Sequence, residues 1–528
     1  MSGAFSGLDW AVVGLYFLAV AGVGYAVNRQ DSGDARDYFL ASGQVPAWLA
    51  AISVLATTQS AATFLGGPDF GYRGDFTYLS TFLGAFLAVV IVAHVFIPRF
   101  YANNVTTVYE LLGQRFGPSA MKAAGGMFLV GRIIAGGARL YLAAIAVAMI
   151  IFGTVTAANV SVASAFLILA SFLFAFHKGL KAIVWIDLLQ FIVYVGAAIG
   201  ITLLLLHRLD MPLGDMIQTL SAAPDGAQGG HDKLRLFDLT ASLSAPFSLW
   251  ASLTGIVLLF IGNYALDQDT TQRLLACRDA RTSAKGLYLS IAAAIPIVWL
   301  FIAIGSLLYL FYRGPAAAGA GPARAFQGED ITVLMHFILT EAPAGIRGMM
   351  AIGVIATAVG TTMSALNAMS SVLIQDFYRP WHAARHQVGE HHYVMAGRFG
   401  MAAVSAATLV MAIGSYYWQH YTRAPLLDFV LSVMNFAYAG LLGVYFTALF
   451  TNRGSSVSVM VALAGGFLVV LALQPAVARA LSLPAGLQNL AFPWQLCVGT
   501  LAAFAICACG RAVRQTDGAA RRARLQEI

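Results

Sequence analysis

Residues 351–378 read AIGVIATAVGTTMSALNAMSSVLIQDFY, an apolar run that carries hydroxyls where a membrane helix would carry leucines. Thr357, Thr361, Ser364 and Ser371 follow one another at intervals of four, three and seven, which puts all four near one face of a helix. Lipid offers that face no hydrogen bonds, so it must look at other protein, at water or at a hard cation, which prefers oxygen ligands. Two readings fit the stripe. The hydroxyls either bond back to their own helix or glue two helices together, or they help to hold an ion.

Of the 528 residues, 59% are hydrophobic and only 10% are charged, with a mean hydropathy of +0.76. A soluble domain carries about a quarter charged residues, so the composition predicts an all-α polytopic membrane protein in a lipid bilayer. Apolar windows of about 20 residues recur roughly thirteen times. The net charge of +7 does not point to nucleic acid, because the basic residues sit between the spans and report topology. Arg29, Arg36, Arg99, Arg115, Lys122, Lys178, Lys181, Arg273, Arg278, Arg281, Lys285, Arg379, Arg385, Arg398, Arg453 and the arginines from Arg511 to Arg524 fall on one side. They make up about 20 of the 31 lysines and arginines, so the positive-inside rule makes that side cytoplasmic. The N-terminus is then outside and the C-terminus inside, which needs an odd number of spans. The first apolar segment lacks the basic n-region of a signal peptide and is expected to stay as a span.

Other classes of function find little support. No stretch resembles a P-loop, which disfavours an ATP-driven pump, and no nucleophile, base and orienter recur at recognisable spacing, so an enzyme is not expected. Four cysteines at Cys277, Cys497, Cys507 and Cys509 are too few and too badly placed for a disulfide framework. His386, Glu390, His391 and His392 lack a second ligand group and read as a wet cytoplasmic loop. Residues 207–244 and 313–330 read as solvated outer loops. No segment signals an obligate protein partner.

Polar groups inside spans carry more information. Residues 56–63 read ATTQSAAT and are followed by Gly66, Gly67 and Pro68. The four polar residues from Thr57 to Ser60 cannot share one face, and a locally unwound helix there would also expose carbonyls. A second interruption is expected around Gly255, Gly262, Asn263 and Tyr264. Two broken spans five helices apart suggest two five-helix repeats around a site at mid-membrane. Asp187 lies roughly 9 Å into its helix at 1.5 Å per residue, where an unpaired carboxylate would want a cation or a proton. Arg132 and Arg139 share a face of another span; snorkelling accounts for Arg132 more easily than for Arg139.

At this point the chain resembles the sodium:solute symporter family. The resemblance rests on DYFLASGQVPAW at Asp37, TVYELLGQRFG at Thr107, GLKAIVWIDLLQ at Gly179, DQDTTQRLLACRDA at Asp267, GTTMSALNAMSSVLIQDFY at Gly360 and GLLGVYFTALFTNR at Gly440. It implies one transporter domain over residues 1–528, with core repeats at about 45–206 and 245–450 in a five-plus-five inverted arrangement. One extra helix precedes them at about 8–27, and two follow at about 457–475 and 493–511. It further implies a main sodium site from the carbonyls of Ala56, Gln59 and Thr357 and the hydroxyl of Thr361. Gly360 stands where the family has a further hydroxyl. A second sodium site would use Asp187, Thr361 and Ser364. Solute would be bound by Thr58, Ser60, Thr63, Arg139, Asn263 and Tyr264, and an arginine among them favours a carboxylate-bearing solute such as an organic acid or amino acid. The expected activity is sodium-coupled symport by alternating access in a bacterial cytoplasmic (inner) membrane. The rival readings are proton coupling through Asp187 and a non-transporting solute sensor.

Overall fold

The computed structural model describes residues 5–27, 38, 40–176, 179–223, 232–313, 333–383, 385–386, 388–422 and 426–511. Of the loop charges named above, Arg29, Arg36, Lys178, Arg514, Arg521, Arg522 and Arg524 lie outside the described residues, as do the middles of both long outer segments, 224–231 and 314–330. Among the described residues ten helices are long and apolar enough to cross a membrane, and a bent pair brings the number of candidate spans to 11. Two shorter apolar helices follow.

Helix α1 (Gly7–Val27) leads into the bent pair α2 (Ala47–Thr58) and α3 (Ala61–Arg73). After these come α4 (Thr77–Ala102), α5 (Pro118–Phe152), α6 (Ala157–Phe176) and α7 (Leu180–Leu209). The second broken element is α8 (Gly255–Ile261), which widens into a π turn at Gly262–Leu266 and stops at Asp267 before α9 (Gln268–Leu275). Then follow α10 (Ala280–Arg313), α11 (Ile346–Val372), α12 (Glu390–Thr422), α13 (Leu426–Phe450), α14 (Ser456–Ala472) and α15 (Phe492–Ala508).

The hydroxyl-bearing helix is α11, and it is buried along nearly its whole length. It packs against α1, α2, α5, α6, α7, α9 and α12, so its polar stripe faces protein and not lipid. Small residues let helices come this close in a membrane. Where α3 crosses α10, a Cβ on Gly71 would lie 2.1 Å from the Ile302 carbonyl oxygen, and one on Gly305 would lie 2.2 Å from that of Pro68. At the start of α11 the Asp9 carboxylate accepts the backbone N–H groups of Gly345 and Gly348, both at 2.8 Å. A carboxylate is well placed at a helix N-terminus, where N–H groups lack partners.

Both breaks differ in detail from the sequence expectation. The first falls at Gln59, whose backbone is extended (φ −82°, ψ 115°), and the two arms meet at 64°. Gly66, Gly67 and Pro68 lie inside the helix that follows. In the second, Thr254 interrupts the helix ahead of Gly255, and the full stop comes at Asp267 (φ −89°, ψ 111°). Its carboxylate then caps α9 by accepting the N–H of Asp269 at 3.1 Å.

Candidate ion and solute sites

The last carbonyls of a helix have no intrahelical partners, so the break at Gln59 frees backbone oxygens in mid-span. A small cavity opens beside it, with room for about one water-sized body, lined by Leu55, Ala56, Gln59, Gln190, Phe191, Tyr194 and Thr357. Three members of the expected main sodium set, Ala56, Gln59 and Thr357, therefore meet in one place. Thr361 is not in this wall. Its hydroxyl donates back to the carbonyl of Thr357 at 2.8 Å, one turn further along. The Thr357 hydroxyl likewise donates to Gly353 and Val354. Gly360 abuts Gln190.

A second cavity, of about 80 Å³, lies between the two broken elements. All six residues expected around solute, Thr58, Ser60, Thr63, Arg139, Asn263 and Tyr264, line it. Apolar walls come from Phe82, Phe247, Phe260 and Met434. Gln59 lines both cavities, and its side-chain oxygen is buried without a hydrogen-bond partner.

The two arginines of α5 have different company. Arg132 does not snorkel: it is 5% exposed, bonds Asp267 at 3.0 Å and also bonds Asp269. Tyr438 donates to the same Asp267 at 2.7 Å. Arg139 faces the larger cavity, and its side chain bonds the Met434 sulfur at 3.3 Å. Among the described residues it has no carboxylate partner, and its Nε is buried and unbonded.

Two of the three residues expected at a second sodium, Asp187 and Ser364, bond a cation of the protein's own. Arg273 is 1% exposed and not a solvated loop charge. Its guanidinium bonds Asp187 at 3.3 Å, Asp269 at 2.9 Å, Ser53 at 2.8 Å and Ser364. Asp187 in turn accepts from Ser53. The carboxylate read as unpaired has a partner, and two of the three expected ligands, Asp187 and Ser364, are bridged by a guanidinium. The hydropathy of DQDTTQR hid this network, because a polar run reads as a loop until its partners are known. Two arginines against three aspartates leave it with one formal negative charge.

The family model for "Sodium:solute symporter family" matches residues 38–466. Sodium/sialic acid symporter SiaT of Proteus mirabilis is 27% identical over 483 residues, covering 89% of this chain and 90% of the relative. Sodium-coupled monocarboxylate transporter 1 of Homo sapiens is 24% identical over 465 residues, covering 87% and 71%. Among solved structures, the substrate-bound outward-open state of a Na+-coupled sialic acid symporter superposes with a TM-score of 0.76 at 22% identity, covering 96% of this chain and 97% of that one. That likeness carries the fold, and the match along most of the sequence carries the family. The chain belongs to the sodium:solute symporter family, a family of transporters, and Na+ is its coupling ion.

Proposed function

We propose that the chain is a secondary active transporter that carries a small carboxylate-bearing solute together with one sodium ion by alternating access. The observation that carries this reading is Arg139: a guanidinium with no carboxylate partner among the described residues, facing a cavity walled by both helix breaks. A fork of N–H donors there suits a carboxylate, which takes two parallel hydrogen bonds. The relatives' names point the same way, since sialic acid is a carboxylated sugar.

Sodium is assigned to the small cavity at Ala56, Gln59 and Thr357, with Gly360 and Thr361 following on the next turn of α11. Thr58, Ser60, Thr63, Asn263 and Tyr264 are assigned to the solute. The Asp187, Thr361 and Ser364 set is left without a second sodium, because Arg273 already supplies positive charge there. The same ion pair speaks against Asp187 as a proton carrier. Gln59 touches both cavities, so an ion on one side restricts the wall of the other; coupling of this kind is a difference in binding free energy and is reciprocal. The charge pattern supports an N-terminus outside and a C-terminus in the cytoplasm.

The test is a thermal-shift screen of the purified protein against organic acids, amino acids and neutral sugars, with sodium and with choline. A ligand stabilises the state that binds it. An acid that stabilises the protein more in sodium supports the reading; stabilisation by neutral sugars alone, independent of sodium, overturns it.

A further inference from the structure

The family resemblance leaves the main sodium site one hydroxyl short at Gly360, and a second helix fills the space. A Cβ built on Gly360 would lie 1.8 Å from Oε1 of Gln190, 2.5 Å from its Cδ and 2.7 Å from its Nε2. No two atoms approach so closely without bonding, so the carboxamide occupies the volume in which a side chain at 360 would begin. Gln190 is 3% exposed. It lines the same small cavity as Ala56, Gln59 and Thr357.

We propose that the side-chain oxygen of Gln190 is a sodium ligand, replacing the hydroxyl that Gly360 does not provide. The proposal rests on the sodium assignment of the preceding section. The carboxamide packs with Leu55, Phe191 and Tyr194 in the cavity wall, and its oxygen is the amide atom nearest the Gly360 position. A hard cation in the cavity takes neutral oxygens from amides and backbone alike. The position of the side chain is also held. Asp187 lies one turn earlier on α7 and is held by Ser53 and Arg273, and Arg273 also bonds Ser364 of α11, which ties α7 to α11 through one guanidinium. Gly360 is then required at its position, since any Cβ there would push the ligand out of the site.

Sodium binding is measured on the purified full-length protein by titrating NaCl against choline chloride at constant ionic strength and reading the thermal transition. Gln190→Met keeps the bulk and removes the oxygen. Even outer-shell partners of a metal are worth about 10- to 100-fold in affinity, so the half-saturating sodium concentration should rise at least tenfold. Gly360→Ser alone should also weaken sodium, because its Cβ displaces the amide. The double variant Gly360→Ser with Gln190→Ala should bind sodium more tightly than either single one, a rescue that general damage would not give. If Gln190→Met titrates like the wild type while Thr357→Ala or Thr361→Ala is shifted, the amide only fills space and the proposal fails with the sodium site intact. If none of these variants shifts, the sodium site itself is misplaced and the proposal falls with it. A double variant weaker than both singles also overturns it.

Discussion

Arg132 and Arg139 sit two turns apart on one helix, yet Arg132 is paired with two aspartates and Arg139 with none among the described residues. The pairing separates a charge bound into an ion-pair network from one that faces a cavity. Arg132→Gln should leave Asp267 without a cationic partner and Asp269 with Arg273 alone, and breaking a buried pair costs about 3–5 kcal/mol. Arg139→Gln should cost little stability and remove binding of the acid. Thermal melts with and without solute distinguish the two outcomes; loss of fold in Arg139→Gln would place that residue in the structural network instead.

The Arg273 to Asp187 pair gives a prediction about charge transfer. On the proposed reading, in which Arg273 takes the place of a second cation, one sodium would accompany one solute and a monocarboxylate would cross with no net charge. An inside-negative potential imposed with potassium and valinomycin should then leave uptake unchanged. A second sodium would add about 2.3 kcal/mol of drive per 100 mV, and acceleration by the potential would show that Arg273 does not exclude it.

Asp187→Asn offers an independent check of the same pair. It leaves Arg273 with one carboxylate fewer, so the expected effect is a lower melting temperature in sodium and in choline alike. A variant that melts normally in choline and loses only the stabilisation by sodium would identify Asp187 as an ion ligand.

The crossing of α3 and α10 has no room for side chains at Gly71 and Gly305. Overpacking costs about 1–3 kcal/mol in an adaptable core, and here the obstacle is backbone, which yields less. Gly305→Val should reduce the yield of folded protein far more than Gly214→Val, a position with open space around it. Size-exclusion profiles after detergent extraction report the difference.

Apolar runs and the spacing of Thr357, Thr361, Ser364 and Ser371 were enough to read the spans, the break near Gln59 and the burial of the hydroxyl face, because all three follow from the local cost of polar groups in lipid. That Thr58, Ser60, Thr63, Arg139, Asn263 and Tyr264 share one cavity was legible through the family motifs, since broken helices place their side chains in a common space. The ion pairs of Arg132 and Arg273 were not legible. Their partners lie 135 and 137 residues away for Arg132, and 86 residues away for Arg273 with Asp187, and a polar run such as DQDTTQR has the composition of a loop. The contact of Gln190 with Gly360 was hidden for the same reason: an absent side chain says nothing about which neighbour fills its place.

The central claim is coupling of sodium to a carboxylate through the two adjoining cavities. Its most direct test is uptake of the acid that best stabilises the protein, into proteoliposomes with an inward sodium gradient or with choline of equal osmolarity. Accumulation above the outside concentration in sodium alone, abolished by Arg139→Gln, is the predicted result; equal uptake with and without sodium would contradict it.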